Sequence, residues 1–575
     1  MAQRRHASWQ GSAVLGTLTA LGVLLGAPAS ALANTTLTGE AATAFDAKLF
    51  IDGLDQPTDL TVLPDGRVIL IQKSGDVLTF PVGSMDPVQD HVMVSTNSEQ
   101  GLLGIVADPA FATNNYIYVY ADSGPDGNNR HQIVRYKFGA DNKLGTKTVI
   151  VDGTNLQAPA NHDGGGIDIF QGNIYMSVGD TGANATPPTN RYGSCLNHGN
   201  GKVLRVSLAE ATLGQPPADN PLMNVPMVTG CDNQGGDYKL TAPDKRIWAW
   251  GFRNPFRMWI DKTTGKMWVG DVGETTREEI TVAQMGKHHG YPFREGTKDW
   301  MQAFAPAGEC TGMTPSSECI GPVFDYGHDN GNNCVIGGRI LDGCGWPAAF
   351  KSRYIFADHG SGKISTLDVN ATRDGIVANS QKDFATSHQV TAMRMGSDNA
   401  LYVLEEGPGV VTRITAKGAM ATPGSCVAVN AEPGVTPVGG SGAGGAATGG
   451  MSGAATGGAA TAGAATSGGN NPGGGAPGSG GTGTTPGAGT TGNPGTSGAG
   501  GATAAGGTGT SGATTGAGTT SNPGGGADTH TVVVGDNSGC GCQVVGGRAA
   551  STFGLGALMA GLGMALRRRR AKQAR

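Results

Sequence analysis

Short apolar runs separated by glycine- and aspartate-containing turns recur along much of the chain. Each copy has a turn residue, a few strand residues rich in Val, Ile, Tyr and Trp, and a glycine within a few positions. The copies occupy residues 65–71, 115–120, 172–179, 265–271, 352–358 and 398–404. Helical periodicity is scarce between them and turn residues are dense, so the pattern predicts β-strands.

These six copies predict the architecture of residues 44–427. The spacing leaves room for one four-stranded blade per copy, and a propeller can reach this size as one unit because its blades repeat. We therefore predict an all-β fold, a six-bladed β-propeller. A pair of β-sandwiches is the structural alternative.

The N-terminus has the pattern of a secretory signal peptide at residues 1–33. Arg4 and Arg5 precede an apolar run over 13–27, and Ala31-Leu32-Ala33 is a small-residue cleavage site. A membrane anchor is the alternative, but the apolar run is short and is broken by Gly and Thr. We predict that the chain is exported.

The region after the propeller contains two further segments. Residues 435–530 are rich in Gly, Ala and Thr, and they predict a disordered linker because they offer little apolar surface to bury. Residues 538–575 contain Cys540 and Cys542, an uncharged stretch over 549–566 and the arginines 567–570. This tail predicts a short membrane segment. It resembles the C-terminal sorting signals of myxobacteria, which implies anchoring or processing at the cell surface; a simple tail anchor is the alternative.

Charge and cysteine content narrow the classes of function. The net charge is −5 and the propeller region has no basic stripe, so nucleic-acid binding is not expected. Export makes disulfides the expected state of the cysteines. The plausible pairs are Cys195–Cys231, Cys310–Cys319 and Cys334–Cys344, with Cys426 unassigned, and no zinc-ligand spacing is present.

Three segments carry side chains suited to a site on the propeller axis. They are residues 98–106 with Glu99 and Gln100, residues 161–180 with His162 ahead of three glycines, and residues 250–256 with Arg253 and Asn254. An imidazole on a glycine-rich loop can act as a base, and a guanidinium beside an amide can hold an oxygen-rich ligand. Taken singly, Arg253 could instead tie two loops together and His162 could be a satisfied loop histidine. Their combination with the carboxylates at 274–279 favours a site.

These motifs match a known family. Residues 56–414 resemble the glucose/sorbosone dehydrogenases, which are soluble quinoprotein sugar dehydrogenases with a six-bladed propeller. The resemblance rests on the ordered stretches 101–104, 162–180, 251–255, 270–280, 289–292 and 358–364.

The resemblance implies roles for individual residues. The family oxidises an aldose at its anomeric hydroxyl, giving a lactone, and passes hydride to pyrroloquinoline quinone (PQQ). His162 matches the catalytic base, and Arg253 and Asn254 match the pair beside the quinone carbonyls. The backbone carbonyls of Gly273 and Glu274 match ligands of the Ca2+ that polarises the cofactor. Glu279 matches a carboxylate of a second Ca2+ site.

The sequence departs from the family at several of these positions. Gln389 and Thr391 stand where arginines hold the carboxylates of PQQ, and Gly360 stands near the expected lysine. Lys363 and Arg394 are the nearby cations that could replace them. The family's active-site glutamine falls on Glu99 or Gln100, depending on a shift of one residue. Asn161 precedes the base where an Asp can occur, and His289 replaces a tyrosine at the second Ca2+ site.

Three hypotheses follow for the function. The first is an exported PQQ- and Ca2+-dependent sugar dehydrogenase that acts on a small-molecule sugar and feeds an external or respiratory electron acceptor. The second is a non-enzymatic propeller of the same family that binds a carbohydrate or protein partner at the cell surface. The third is a Ca2+-dependent lactone hydrolase. In each, the membrane is contacted through the C-terminal tail only, and nucleic acid is not a partner.

Overall fold

The computed structural model describes residues 35–418, apart from 124–128, 159–160, 183–190, 232–238, 301–309, 311–318 and 344. The predicted signal peptide, linker and sorting tail lie outside these residues. Among the described residues, no helix has the length and apolar character needed to cross a bilayer.

The described chain is built from six antiparallel sheets of four or five strands and two two-stranded ribbons. It begins with elements that complete the last two of the large sheets. These elements are β1 (Thr36–Leu37), α1 (Gly39–Ala44) and β2 (Phe45–Ile51). The first blade contains β3 (Pro57–Val62), β4 (Val68–Gln72), β5 (Asp76–Phe80) and β6 (Val88–His91). The second contains β7 (Leu102–Ala107), α2 (Phe111–Asn114), β8 (Tyr116–Asp122), β9 (His131–Phe138) and β10 (Leu144–Val151).

The third and fourth blades carry the longer insertions. The third contains β11 (Gly166–Phe170), β12 (Asn173–Val178) and β13 (Lys202–Ser207), then a 3-10 turn (Glu210–Thr212), the ribbon β14 (Val228–Gly230) with β15 (Lys239–Thr241), and β16 (Ile247–Trp250). The fourth contains β17 (Asn254–Ile260), β18 (Met267–Val272) and β19 (Arg277–Ala283), then the ribbon β20 (Arg294–Glu295) with β21 (Lys298–Asp299), and β22 (Phe324–Gly327).

The last two blades are completed by the N-terminal strands. The fifth contains β23 (Val335–Ile340), a 3-10 turn (Ala348–Phe350), β24 (Arg353–Asp358), β25 (Lys363–Asp368) and β26 (Lys382–Thr386), and β1 pairs with β26 as its fifth strand. The sixth contains β27 (Val390–Met395), β28 (Leu401–Glu405) and β29 (Val410–Ala416), and β2 pairs with β29 as its outer strand. The two ends of the domain are therefore held in one sheet, which closes the ring without a free edge there.

The predicted all-β, six-bladed propeller is confirmed. Each of the six sequence repeats becomes the second strand of its blade, as β4, β8, β12, β18, β24 and β28. The first strand of every blade packs against the first strand of the next, and β27 of the last blade reaches β3 of the first. Apolar side chains fill the space between blades. Trp268 of the fourth blade, for example, stacks on Tyr354 of the fifth with ring centroids 4.6 Å apart.

A buried arginine spans the centre of the ring. Arg257 on β17 donates from Nε to the carbonyl oxygen of Thr391 in the sixth blade (2.9 Å) and from Nη2 to that of Thr58 in the first (2.7 Å). Burial lowers the pKa of Arg257 to about 10, which leaves it charged at neutral pH. One side chain thus links three blades across the axis.

Two predicted disulfides are confirmed. Cys195–Cys231 and Cys310–Cys319 have Cα atoms 5.6 Å and 5.0 Å apart. Cys334 is also disulfide-bonded. Its predicted partner Cys344, like Cys426, lies outside the described residues.

The loops that lead into the innermost strands and the turns between the second and third strands open on the same face, because successive strands of a blade alternate in direction. We call this the upper face. The positive φ angles of Gln56, Ser98, His162 and Gln389 (48° to 56°) all fall in loops leading into innermost strands. Left-handed backbone at non-glycine residues is uncommon and is often found at functional sites.

Candidate active site on the upper face of the propeller

A histidine–carboxylate pair forms the centre of the site. Nδ1 of His162 lies 2.6 Å from Oδ1 of Asp180, which follows β12, and both side chains are buried. Nε2 of His162 is buried and has no hydrogen-bond partner among the described residues. An Nδ1–H group that donates to Asp180 leaves the lone pair on Nε2, the form that can accept a proton.

The backbone around His162 requires glycine. His162 has a φ of 56°, and a Cβ on Gly179 would lie 1.8 Å from the carbonyl oxygen of His162. Because that contact is with backbone, no rotamer change could relieve it. A Cβ on Gly164, in the loop itself, would likewise lie 2.4 Å from the carbonyl oxygen of Ser177. These two glycines therefore allow the His162 loop to pack against the end of β12.

Asp180 is held in its charged form. Burial by itself would raise the pKa of this carboxyl, but the charge and hydrogen bond of His162, together with the charge of Arg253, hold the pKa below its usual value. The backbone N–H of Gly182 also donates to Asp180, at 3.0 Å. A charged Asp180 fixes the orientation of the imidazole and would stabilise the imidazolium that forms on proton uptake.

The structure resolves which of two neighbouring residues faces the site. Oε2 of Glu99 accepts from the backbone N–H of Asp163 and from Nδ2 of Asn254, both at 3.3 Å. Oε1 of Glu99 is buried without a partner, and burial raises the pKa of this carboxyl. Gln100 points elsewhere and donates to the carbonyl of Ala158. Glu99 therefore occupies the position between His162 and Asn254, and Gln100 does not.

Arg253 and Asn254 are positioned by carboxylates of the fourth blade. Their backbone N–H groups donate to Asp271, at 3.1 Å and 2.8 Å. Nε of Arg253 donates to Oε2 of Glu274 at 2.7 Å, and the hydroxyl of Tyr291 donates to the same oxygen at 3.2 Å. The arrangement holds the guanidinium rigidly, with part of its donor capacity already used by the protein.

A second cation was not predicted from the sequence. Nζ of Lys73, on the turn after β4, donates to the carbonyl of Thr96 at 2.8 Å. Burial lowers the pKa of Lys73, while the charges of Glu406, Asp163, Asp122 and Glu99 act in the opposite direction. Lys73 and Glu406 follow the second strands of blades one and six, and no motif in the sequence marked them. Asp180 occupies the equivalent turn of blade three, where the Gly-Asp pair could have marked it.

The other predicted cofactor-binding cations lie outside this group. Arg394 lies late in β27, away from the upper face, and donates to both oxygens of Asp59 at 2.8 Å and 2.7 Å. Lys363 opens the third strand of the fifth blade and lines a solvent-open cleft of about 700 Å³ with Tyr326, His328 and Asp358. Asp59 thus engages Arg394, whereas Lys363 stands at a turn between second and third strands, on the upper face. That these two cations replace the missing arginines stays a prediction.

The predicted metal-binding positions divide into two groups. The loop of Gly273 and Glu274 is held by Glu295, whose Oε1 accepts from the backbone N–H groups of residues 274–277 at 2.7–3.0 Å. Oε2 of the Glu274 side chain accepts from Arg253 and Tyr291, whereas the Ca2+ ligands predicted at this loop are the backbone carbonyls of Gly273 and Glu274. Glu279 is buried near Asp271, Asp325 and Glu295, and burial and these like charges raise its pKa. Such an oxygen-rich group fits a hard cation such as Ca2+.

His289, the residue expected to replace a tyrosine at the second Ca2+ site, is a core residue. It stacks on Phe252 with ring centroids 4.9 Å apart, and its Nε2 accepts from the backbone N–H of Gln284 at 3.2 Å. Burial lowers the pKa of His289 to about 3, so the ring is neutral. The histidine that stands in place of the family's tyrosine therefore contributes to packing of the core.

Comparison with known proteins places this arrangement in a family. The profile described as Glucose / Sorbosone dehydrogenase matches residues 54–413, which is more than half of the chain. The chain belongs to the glucose/sorbosone dehydrogenase family.

Relatives in this family include named sugar dehydrogenases. Aldose sugar dehydrogenase YliI of Escherichia coli is 26% identical over 376 residues, which cover 63% of this chain and 91% of that protein. Quinoprotein glucose dehydrogenase B of Acinetobacter calcoaceticus is 26% identical over 283 residues, covering 44% and 54%. The uncharacterized protein slr1608 of Synechocystis is 28% identical over 277 residues, and this chain spans 62% of its length.

Solved structures agree with the propeller fold. The soluble aldose sugar dehydrogenase of Escherichia coli in its apo form has a TM-score of 0.53 and 21% identity, covering 65% of this chain and all of that one. At this identity the likeness establishes the shared fold.

The residues of this family member fit one end of PQQ and not the other. His162, Arg253 and Asn254 lie together with unpartnered polar atoms nearby, as a quinone head would require. At the carboxylate end, Thr391 donates its hydroxyl to the carbonyl of Pro57 at 2.9 Å, and Gln389 is neutral. The described cations of the group are Arg253 and Lys73, and its carboxyl groups are those of Glu99, Asp163, Asp180, Glu274 and Glu406. Burial raises the pKa of three of these carboxyls, those of Glu99, Asp163 and Glu406. Residues 389 and 391 therefore offer no positive charge to the three carboxylates of PQQ.

Proposed function

We propose that this protein is a sugar dehydrogenase in which His162 removes the proton of the anomeric hydroxyl of an aldose, which yields a lactone. The observation that carries this proposal is the buried His162–Asp180 pair with Nε2 unpartnered, on the face where Arg253 and Asn254 meet. The family assignment and the named relatives support it.

The steps performed by the protein's own residues follow from the geometry. Nε2 of His162 accepts the hydroxyl proton, and Asp180 stabilises the imidazolium that results. Arg253, held by Glu274, places positive charge where negative charge develops. A quinone bound beside Arg253 would supply the hydride acceptor. The unpartnered Oε1 of Glu99 would accept a hydrogen bond from a substrate hydroxyl.

The proposed cofactors are PQQ at the upper face and Ca2+ at Glu279. Gln389 and Thr391 in place of the family's arginines predict weak PQQ binding, because each lost charge-assisted hydrogen bond removes about 1.5–3 kcal/mol. An external or respiratory acceptor would reoxidise the quinone. We also propose that the protein is exported and held at the cell surface through its C-terminal tail, as the sequence pattern of its ends indicates.

The test measures binding of PQQ to the full-length protein in the presence of Ca2+. Calorimetry gives the affinity, and the thermal midpoint reports the stabilisation on binding. Saturable uptake that is lost in Arg253→Ala, together with aldose oxidation that is lost in His162→Gln, would support the proposal. Asp374→Asn, a change in a half-exposed loop carboxylate outside the site, serves as the matched control. Absence of uptake at high micromolar PQQ, with intact folding, would contradict it.

A second function is favoured by one observation, the neutral side chains of Gln389 and Thr391 at the positions where the family has arginines. Under this alternative the upper face binds a neutral carbohydrate or a protein partner at the cell surface without chemistry. Binding of a sugar with unchanged affinity in His162→Gln and without PQQ would favour this alternative, because only proton transfer requires Nε2.

A further inference from the structure

A second buried histidine lies behind the loop that carries His162. His131, at the start of β9, has its Nδ1 2.6 Å from Oδ1 of Asp122, at the end of β8. Its Nε2 lies 3.7 Å from Oδ1 of Asp163, the residue after His162. All three side chains are completely buried.

Several polar atoms of this group lack partners among the described residues. Both carboxylate oxygens of Asp163 and Nε2 of His131 are buried without a hydrogen bond. Buried polar atoms are nearly always hydrogen-bonded, so three neighbouring buried atoms without a partner require an explanation. The remaining contacts of Asp163 involve its backbone: its carbonyl accepts from the hydroxyl of Tyr120 at 2.7 Å, and its N–H donates to Glu99.

The separation of these atoms suits a shared metal ion better than a hydrogen bond. At 3.7 Å, Nε2 and Oδ1 are too far apart for a direct hydrogen bond. Two ligands bound at about 2.0–2.2 Å to one ion can be separated by this distance. One candidate ligand atom from each of Asp122, His131 and Asp163 lies within 4.8 Å of the others.

We propose that Nε2 of His131 and the carboxylate of Asp163 bind a divalent transition-metal ion, with Asp122 orienting the histidine through Nδ1. A histidine that donates its other ring N–H to a carboxylate is the usual arrangement at such sites. Imidazole nitrogen with carboxylate oxygen suits Zn2+ rather than Ca2+, which prefers oxygen ligands. The two carboxylates also balance the charge of a divalent ion.

The position of this site gives it a structural consequence. Asp122 and His131 belong to the second blade, whereas Asp163 belongs to the loop leading into the third. A bound ion would fasten that loop to the neighbouring blade directly beside His162. We infer that it fixes the loop that carries the base, and that this role does not depend on whether PQQ binds.

The test uses the full-length protein without a histidine tag, in buffer with excess Ca2+ to fill oxygen-only sites. After treatment with a chelator, Zn2+ is titrated by calorimetry, and bound zinc is counted by mass spectrometry. We expect about one zinc per chain and a rise in the thermal midpoint. Binding should weaken at least tenfold in His131→Gln and in the isosteric Asp163→Asn. Co2+ in place of Zn2+ should give visible absorption that both variants lose.

The matched control is His91→Gln, because His91 forms a similar pair with Asp76 (2.9 Å) but both side chains are exposed. This variant should bind zinc as the parent does. Less than about a tenth of a zinc per chain in the folded parent, or unchanged binding in both site variants, would overturn the proposal. The parent measurement decides the question even if a variant fails to fold.

Discussion

Oδ1 of Asp180 lies 2.6 Å from Nδ1 of His162, and this contact joins the end of a blade strand to a loop with left-handed backbone. It leaves Nε2 as the acceptor on the upper face. Asp180→Asn preserves the shape but can reverse the tautomer, because the amide can donate to Nδ1. We expect the rate of aldose oxidation to fall by about 10²–10⁴, with a thermal midpoint close to that of the parent. Steady-state rates with circular dichroism melting measure both; an unchanged rate would contradict this role.

The charge of Glu99 should weaken the binding of an anionic cofactor. Its carboxyl is buried between Asn254 and the Asp163 backbone, and Glu99→Gln can keep both accepted hydrogen bonds while removing the charge. We expect PQQ to bind about tenfold more tightly, since a nearby like charge can contribute about 1.4 kcal/mol. Calorimetric titration of the variant and of Glu210→Gln, an exposed control, measures this effect. Weaker PQQ binding in Glu99→Gln would show that the carboxylate helps to hold the cofactor.

The stability of the propeller should fall as the pH rises through the neutral range because of Glu406. Burial raises the pKa of Glu406 to about 8 from its ordinary value of 4.5, against the attraction of Lys73. The folded state retains this proton while the unfolded chain loses it. The stabilisation is therefore complete below pH 4.5 and is lost as the pH rises through about 8. Thermal midpoints from pH 5 to 9 should fall less steeply in Glu406→Gln than in the parent. Parallel curves would contradict the prediction.

Removal of Arg257 should destabilise the ring as a whole. Its guanidinium donates to carbonyls of three blades, and Arg257→Met would leave these buried oxygens without donors. We expect a loss of about 3 kcal/mol or more in the free energy of unfolding. Arg413→Met, which breaks a half-exposed pair with Asp398, should cost under about 1 kcal/mol. Urea denaturation measures the free energy of unfolding of both variants. Equal losses of stability would contradict a larger contribution from Arg257 at the centre of the ring.

Much of the fold was predictable from local pattern. The alternation of strand and turn residues identified the second strand of every blade, because that strand is buried on both faces and ends in tight turns. The closure by β2 and the added strand β1 could not be predicted. Their pairing with β29 and β26 joins residues more than 300 positions apart, and no local signal records such a partner.

The candidate site, like the fold, was predictable only in part from the sequence. The motifs around His162, Arg253 and Asn254 determined which residues could carry the chemistry and the family to which the chain belongs, because their spacing reflects glycine-dependent turns and rigid loops. Only the tertiary structure decided that Glu99 rather than Gln100 faces His162, that Asp59 engages Arg394, and that Lys73, Glu406 and His131 gather beside the site. The physical reason is that a propeller brings six separate segments to one face, and the charge each side chain meets there depends on its neighbours in other blades.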